Sequence, residues 1–225
     1  MAVALTLYRT TIGKKVVMAV SGLVLVGFVI VHMLGNLKIY EGPAKINAYG
    51  VFLREIGDPF FSPDQMLWSA RIVLLVAVVL HLVAAYQLTR RDLAGRPVAY
   101  ASRRNVAAGY AARTMRWGGV IILLFVIYHI LHFTTGSVHP SFERGNIYHN
   151  VVAGFRVWYV SAFYIAAMVA LATHLYHGAW SMFQTLGVTT ASRTRFWRGL
   201  ALAIALAVGL GNSSIPLAVL TGIVK

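Results

Sequence analysis

Five long apolar segments limit what this chain can fold into. They cover residues 16–35, 67–88, 117–136, 157–183 and 199–219, and Arg71 is the one Asp, Glu, Lys or Arg residue within them. An α-helix rises about 1.5 Å per residue, so about 20 residues cross the roughly 30 Å of hydrocarbon in a bilayer. We therefore predict an all-α integral membrane bundle of five transmembrane helices.

The amino-acid composition is typical of an integral membrane protein. Of its 225 residues, 59% are hydrophobic and 12% are charged, whereas soluble domains are about 45–50% apolar and about 25% charged. The first apolar segment is too long for a signal-peptide core and lacks a clear small-residue cleavage site, so we expect it to be a retained span. We expect a single membrane domain over residues 1–225.

The basic residues predict an orientation. Placing the N-terminus in the cytoplasm puts most of the 20 Lys and Arg residues on that side and leaves Asp92 as the one acidic residue there. Cytoplasmic loops of membrane proteins carry an excess of Lys and Arg, so we predict a cytoplasmic N-terminus and an outside C-terminus. The net charge of +14 belongs to these membrane flanks, and we expect no nucleic-acid partner.

The chain contains no cysteine. This excludes iron–sulfur clusters, covalently attached c-type haem, thiolate-bound metals and disulfides from this chain. Any redox centre within it must therefore use histidine or a bound organic cofactor.

Histidines are concentrated inside the apolar segments, which hold His32, His81, His129, His132, His174 and His177. A polar side chain at membrane depth is costly unless it has a partner, and a single one would be explained by an interhelical hydrogen bond. Histidines on four different helices favour a shared metal centre. Zinc and di-iron sites would need cysteine or carboxylate ligands at the same depth, and the segments contain none.

Position along each segment gives the depth of each histidine. At about 1.5 Å per residue, His32 and His129 lie about 24 Å and about 18 Å above the cytoplasmic ends of two ascending helices. His81 and His174 lie about 21 Å and about 26 Å below the outer ends of two descending helices. A low-spin haem needs two axial imidazoles that face each other across its plane. The pattern therefore predicts two b haems, one in each half of the membrane.

Two further histidines leave this assignment open. His132 and His177 each follow a paired histidine by three residues, so they face nearly the same side of the helix and can replace it as the ligand. His132, at about 22 Å, matches the depth of His32 slightly better than His129 does. The unused histidine would then hydrogen-bond a haem propionate, the backbone or a quinone.

The loops carry weaker signals. Residues 37–66 contain three prolines and three glycines, and we expect a partly ordered cap on the outer side. Residues 89–116 form a basic inner loop, which is either a docking surface for a soluble partner or a solvated loop without one. We expect the loop residues His139 and His149 to be solvated.

Three stretches of the sequence together resemble a known family, the cytochrome b subunit of succinate dehydrogenase and fumarate reductase in its five-helix, two-haem form. The stretches are Lys15 to Gly22 leading to His32 to Asn36, Met115 to Gly119 leading to Tyr128 and His129, and His174 to Trp180. The resemblance runs through the whole chain. It implies one axial ligand on each of the first four helices: His32 with His129 for the outer haem, and His81 with His174 for the inner haem.

The resemblance also implies the assembly. The chain would be the quinone-reactive membrane anchor of succinate:quinone oxidoreductase (complex II of the tricarboxylic acid cycle), in a bacterial cytoplasmic membrane. A flavoprotein subunit with FAD and an iron–sulfur subunit would sit on its cytoplasmic face, and the quinone would most often be menaquinone. Assembly of the complexes into trimers and the catalytic residues at the quinone stay open.

Arg116, at the cytoplasmic start of the third segment, has two readings. It can pair with a propionate of the inner haem through charge-assisted hydrogen bonds, or it can be an ordinary basic anchor. Three alternatives to the whole interpretation remain: the haem anchor of another quinone-linked dehydrogenase, a transporter whose histidines relay protons, and a structural anchor without haem.

Overall fold

A computed structural model gives the fold for residues 8–95 and 110–225. The described part is built from helices and contains no strand. The α-helices are α1 (Thr11–Asn36), α2 (Pro43–Glu55), α3 (Gln65–Ala94), α4 (Tyr110–His129), α5 (Ile147–Arg156), α6 (Trp158–Thr185) and α7 (Thr194–Leu220). A 3-10 turn (Leu37–Glu41) follows α1, and a π-helical turn (Ile130–Thr134) continues α4.

Five of these helices are long and apolar enough to cross a membrane: α1, α3, α4 with its π turn, α6 and α7. The prediction of an all-α bundle with five membrane-spanning helices is thus confirmed. Most helices run a few residues beyond the apolar segments because a helix can continue into the polar boundary of the bilayer. The third span is the exception: its helical part ends at Thr134, and Gly136 turns the chain with a φ of 76°.

Four of the spanning helices pack side by side in the order α3, α1, α6 and α4. In the described part of the chain, the pairs α1–α4, α3–α6 and α3–α4 do not pack extensively against each other. One helix separates α1 from α4 and one separates α3 from α6 in this order, and we call these two pairs the diagonals.

The last helix, α7, contacts α1 and packs chiefly against α6. Small residues let the two backbones approach: Ala179, Ala201 and Ala205 are almost fully buried. A Cβ added at Gly209 would meet the Cβ of Ala172 at 3.0 Å. Small residues at interfaces are the usual way in which helices associate tightly in lipid, so α7 acts as a packing helix.

Short helices cover the end of the bundle where α1 finishes and α6 begins. The expected cap in residues 37–66 contains the 3-10 turn and α2, and α2 packs against α5. The side chain of Asn47 donates to the Asn146 Oδ1 at 3.2 Å and accepts from the backbone N–H of Tyr148 at 3.0 Å. The sequence analysis did not predict α5, because its ten residues are too few to cross a membrane.

At the opposite end, polar contacts join neighbouring helices. The Nζ of Lys14 donates to the side chain of Gln87 and lies 4.2 Å from the ring centre of Tyr8. The guanidinium of Arg116 forms an ion pair with Asp92 at 2.9 Å. Residues 96–109, half of the basic loop 89–116, lie outside the described residues, so neither interpretation of that loop is tested.

Candidate functional site

The first diagonal carries a pair of histidines near the end of the bundle where α1 and α4 finish. The ring centres of His32 on α1 and His129 on α4 are 5.8 Å apart, and the ring planes are nearly perpendicular, at 89°. A phenylalanine one helical turn earlier lies beside each ring: Phe28 stacks on His32 with centres 5.2 Å apart, and Phe125 lies 5.8 Å from His129. The aromatic neighbours restrict the rotation of both imidazoles.

The second diagonal carries another pair nearer the opposite end. We call His32 with His129 the outer pair and His81 with His174 the inner pair, after the predicted orientation. The ring centres of His81 on α3 and His174 on α6 are 6.4 Å apart, with an angle of 62° between the planes. The four histidines that the resemblance named as ligands are therefore brought together in the predicted combinations. Each pair joins two helices that do not otherwise pack extensively.

Two glycines face the inner pair and show the level at which it lies. A Cβ on Gly22 of α1 would lie 3.4 Å from Cε1 of His81, and a Cβ on Gly119 of α4 would lie 3.7 Å from Cε1 of His174. His32 and His129 each follow one of these glycines by ten residues, which is about 15 Å along a helix. The two pairs thus lie at different levels along the helices. Where α1 and α4 run beside the inner pair, each has a glycine and therefore no side chain.

The separation of the rings can be compared with that of two imidazoles on one metal ion. A histidine nitrogen lies about 2 Å from a bound metal ion, and about 1.2 Å from the centre of a ring whose C–N bonds are about 1.33 Å. Two imidazoles on opposite sides of one ion therefore have centres about 6.3 Å apart. The observed 5.8 Å and 6.4 Å are close to this value, so both pairs fit axial ligation of a haem iron.

Hydrogen bonds orient one imidazole of the inner pair. The Nδ1 of His81 lies 3.2 Å from the backbone oxygen of Met18 and 3.3 Å from Oγ of Ser21. The Ser21 hydroxyl donates to the backbone oxygen of Val17 at 2.7 Å, so both groups near Nδ1 act as acceptors. His81 Nδ1 then carries the proton and Nε2 keeps its lone pair. A ring N–H bonded to a backbone carbonyl is the usual support of a metal-binding histidine.

The outer pair has a corresponding support from a side chain. The hydroxyl of Tyr164 on α6 lies 3.5 Å from Nδ1 of His129 and 3.0 Å from Nδ1 of His132. Tyr164 is buried, with 5% of its surface exposed. The sequence analysis missed this residue, because a tyrosine inside an apolar segment is indistinguishable from an ordinary packing residue.

The two additional histidines lie differently from the paired ones. His132 lies in the π turn and is fully buried, and its Nε2 has no hydrogen-bond partner among the described residues. The ring that contacts His32 is that of His129, and the ring that contacts His81 is that of His174. His177 is partly exposed and lies beside the ring of Tyr176, with centres 5.1 Å apart.

The expectation that His139 and His149 are solvated is wrong for His139. Its ring is half-buried and stacks on His132 with centres 4.8 Å apart. His139 Nε2 donates to the backbone oxygen of Asn150 at 2.8 Å, and Nδ1 accepts from the N–H of Ser141 at 3.0 Å. The loop folds back over the end of α4, which an apolar pattern cannot show. His149 stays partly exposed and contacts Ser141.

Arg116 lies at the start of the α4 span and is about half exposed, as is its partner Asp92. The sequence analysis named both residues but not their contact. An exposed ion pair of this kind contributes about 0–1 kcal/mol. Its position links the ends of α3 and α4, which do not pack extensively in the described part of the chain.

Gly154 on α5 leaves the space that His132 occupies. A Cβ there would lie 2.9 Å from Cε1 of His132 and 3.1 Å from Nε2 of both His132 and His139. We expect Gly154→Ala to lower the free energy of unfolding by about 1–3 kcal/mol, the usual cost of overpacking. Thermal unfolding of the purified protein in detergent measures this loss. Gly199→Ala is the control, because a Cβ there meets nothing within 4 Å; equal melting temperatures for the two variants would contradict the packing.

In the described part of the chain, no group of three or more His, Asp or Glu side chains could hold one metal ion. The histidines there form pairs instead. A haem needs only two protein ligands, because the porphyrin supplies the others. No family description, curated protein or solved structure matches this chain. A functional assignment therefore depends on the residue pattern and on the geometry of the paired histidines.

Proposed function

We propose that this chain is the membrane-anchor cytochrome b subunit of a succinate:quinone oxidoreductase and binds two b haems. The observation that carries the proposal is that four histidines form two pairs. They lie at two levels, on diagonally opposite helices, with ring centres 5.8 Å and 6.4 Å apart. The sequence motifs around the same histidines resemble those of that subunit family.

The proposal gives each named residue a task. His32 and His129 bind the outer haem iron, and His81 and His174 bind the inner one. Each haem supplies one-electron chemistry by cycling between ferric and ferrous iron. Gly22 and Gly119 keep side chains out of the space beside the inner pair, and Met18 and Ser21 hold His81 with its Nδ1 protonated. Arg116, which is paired with Asp92, would also bind an inner propionate.

The proposal also names partners that lie outside this chain. A flavoprotein with FAD would exchange electrons with succinate or fumarate, and an iron–sulfur subunit would connect it with this chain. Quinone in the lipid would exchange electrons with this subunit, and by the resemblance this quinone is menaquinone. The location is a bacterial cytoplasmic membrane, and the complexes can associate further into trimers.

Purification of the intact complex tests the proposal directly. We expect a reducible b-type absorption spectrum, two haems per chain by pyridine haemochrome titration, and a flavoprotein and an iron–sulfur protein that co-purify. A colourless, correctly assembled complex would refute haem binding. A dihaem protein with other catalytic subunits would instead assign the chain to another quinone-linked dehydrogenase.

One observation favours a second candidate, a transporter that relays protons through histidines. The Tyr164 hydroxyl joins His129 to the buried His132, and such a chain of polar groups can pass a proton. This candidate predicts no haem absorption and a proton flux in vesicles that Tyr164→Phe abolishes. The absorption spectrum therefore separates the two functions before any flux is measured.

The orientation gives a separate prediction. We expect the N-terminus in the cytoplasm and the C-terminus outside, because the basic residues lie mainly on the N-terminal side of the membrane. An alkaline phosphatase fused after Lys225 should be active in cells, and a fluorescent protein fused before Met1 should fluoresce. An inactive phosphatase fusion from a chain that is present in the membrane at normal amounts would reverse the orientation.

A further inference from the structure

His132 has a buried ring nitrogen without a partner among the described residues, as do His174 and Trp197. The imidazole of His132 is fully buried, its unpartnered nitrogen is Nε2, and the residue lies in the π turn that continues α4. A buried polar atom without a partner costs about 1–3 kcal/mol. π turns occur frequently at functional sites. These features suggest that His132 is retained for its other ring nitrogen, Nδ1.

Nδ1 of His132 is bonded to Tyr164, and Tyr164 in turn reaches the outer pair. The Tyr164 hydroxyl oxygen lies 3.0 Å from Nδ1 of His132 and 3.5 Å from Nδ1 of His129. The hydroxyl has one proton to donate, and its oxygen can accept another. The short contact with His132 and the longer one with His129 can therefore be satisfied together in either of two directions.

The proposed ligation of iron by His129 chooses between these directions. If His129 uses Nε2 for iron, its Nδ1 carries a proton and donates to the Tyr164 oxygen. Tyr164 then donates its own proton to Nδ1 of His132, which must be unprotonated, so the proton of His132 is on Nε2. His139 cannot accept it, because its Nδ1 accepts from Ser141 and its Nε2 donates to the backbone oxygen of Asn150.

We propose that Tyr164 and His132 are positioning residues that hold the His129 imidazole and set the reduction potential of the outer haem. The inference deepens the proposed function and depends on it. A hydrogen bond accepted from Nδ1–H makes a ligating imidazole a stronger electron donor. His132 strengthens this effect, since a hydroxyl that donates its proton becomes a better acceptor. The stronger donor stabilises ferric iron and lowers the potential.

The test is a redox titration of the assembled complex with Tyr164→Phe. The change removes one hydroxyl and keeps the ring and its packing. We expect both haems to remain, the midpoint potential of one haem to rise, and that of the other to stay unchanged. The EPR signal of the same haem should change, because it reports the orientation of the axial imidazoles.

Tyr128→Phe is the matched control. Tyr128 lies next to His129 in sequence, and its ring is 5.4 Å from that of His132 and 6.0 Å from that of Tyr164. It undergoes the same chemical change in the same neighbourhood, and we expect wild-type potentials. Equal shifts in the two variants would overturn the inference, as would unchanged potentials and EPR signals in Tyr164→Phe.

His132 provides a second pair of variants. His132→Leu removes the acceptor for the Tyr164 hydroxyl, and we expect a smaller shift in the same direction. His132→Asn places an amide oxygen near the position of Nδ1, and we expect it to restore the wild-type potential. A purely structural role of His132 predicts no difference in potential between the two variants, which would count against the inference.

The number of haems lost from these variants distinguishes the inference from general damage to the bundle. Selective loss of one haem in Tyr164→Phe, with both haems present in Tyr128→Phe, would support the inference, because the ligand is no longer held. Loss of both haems would overturn it, since a damaged bundle then explains the result. A wild-type complex without haem refutes the proposed function itself.

Discussion

Replacement of His81 by leucine is expected to remove one b haem from the purified complex and to leave the other in place. Leucine fills a similar volume but offers no lone pair to iron. The lost haem is the one shared with His174, whose ring centre lies 6.4 Å from that of His81. Pyridine haemochrome titration should fall from two haems per chain to one, and His174→Leu should remove the same haem.

The effect on stability should be large as well. A cofactor that binds the folded protein tightly adds free energy of unfolding, about 4 kcal/mol when its concentration is 1,000 times the dissociation constant. The inner pair joins α3 to α6, which lack extensive packing of their own. We therefore expect His81→Leu to lower the melting temperature of the complex in addition to its haem content.

His177→Leu is the matched control for this prediction. His177 also lies inside the α6 span, but it is partly exposed and contacts Tyr176 instead of His81. We expect two haems in this variant. Two haems in His81→Leu, or the loss of a haem in His177→Leu alone, would show that the inner pair is assigned to the wrong histidine.

Much of the architecture follows from the sequence because each spanning helix must satisfy its own backbone hydrogen bonds in lipid. The length of an apolar segment therefore predicts a helix directly, as α1 and α3 show. Depth also follows, since each residue adds a fixed rise. On this basis one histidine pair could be expected between α1 and α4 and another between α3 and α6, once the helices were known to alternate in direction. The choice of His129 over His132 came from the resemblance.

The sequence could not predict how the chain turns and packs outside that regular geometry. The π turn at Ile130–Thr134 changes the direction of every side chain after His129, so helical spacing misplaces His132. The depth of His132 suited His32 slightly better, yet its ring is buried beside Gly154 and bonded to Tyr164. The fold of the loop over His139 depends on contacts with α5, which no apolar pattern predicts.

The choice between His129 and His132 gives the second large effect. We expect His129→Leu to remove the outer haem, because the His129 ring is the one that faces His32 at 5.8 Å. His32→Leu should remove the same haem. The midpoint potential and EPR signal of the haem that remains show which one was lost. His132→Leu should keep both haems, because its imidazole faces α5 and Tyr164 and lies away from the diagonal between α1 and α4.

Both changes replace an imidazole by the same apolar side chain on neighbouring turns of one span, so His132→Leu controls for damage to the helix. His132→Leu should disturb folding more than His129→Leu does, since His132 is fully buried and His129 is only partly buried. A helix that tolerates leucine at 132 but loses haem with leucine at 129 therefore identifies the ligand. If His132→Leu instead lost the outer haem while His129→Leu retained it, the ligand would be His132, and the position of Tyr164 between the two rings would need a different explanation.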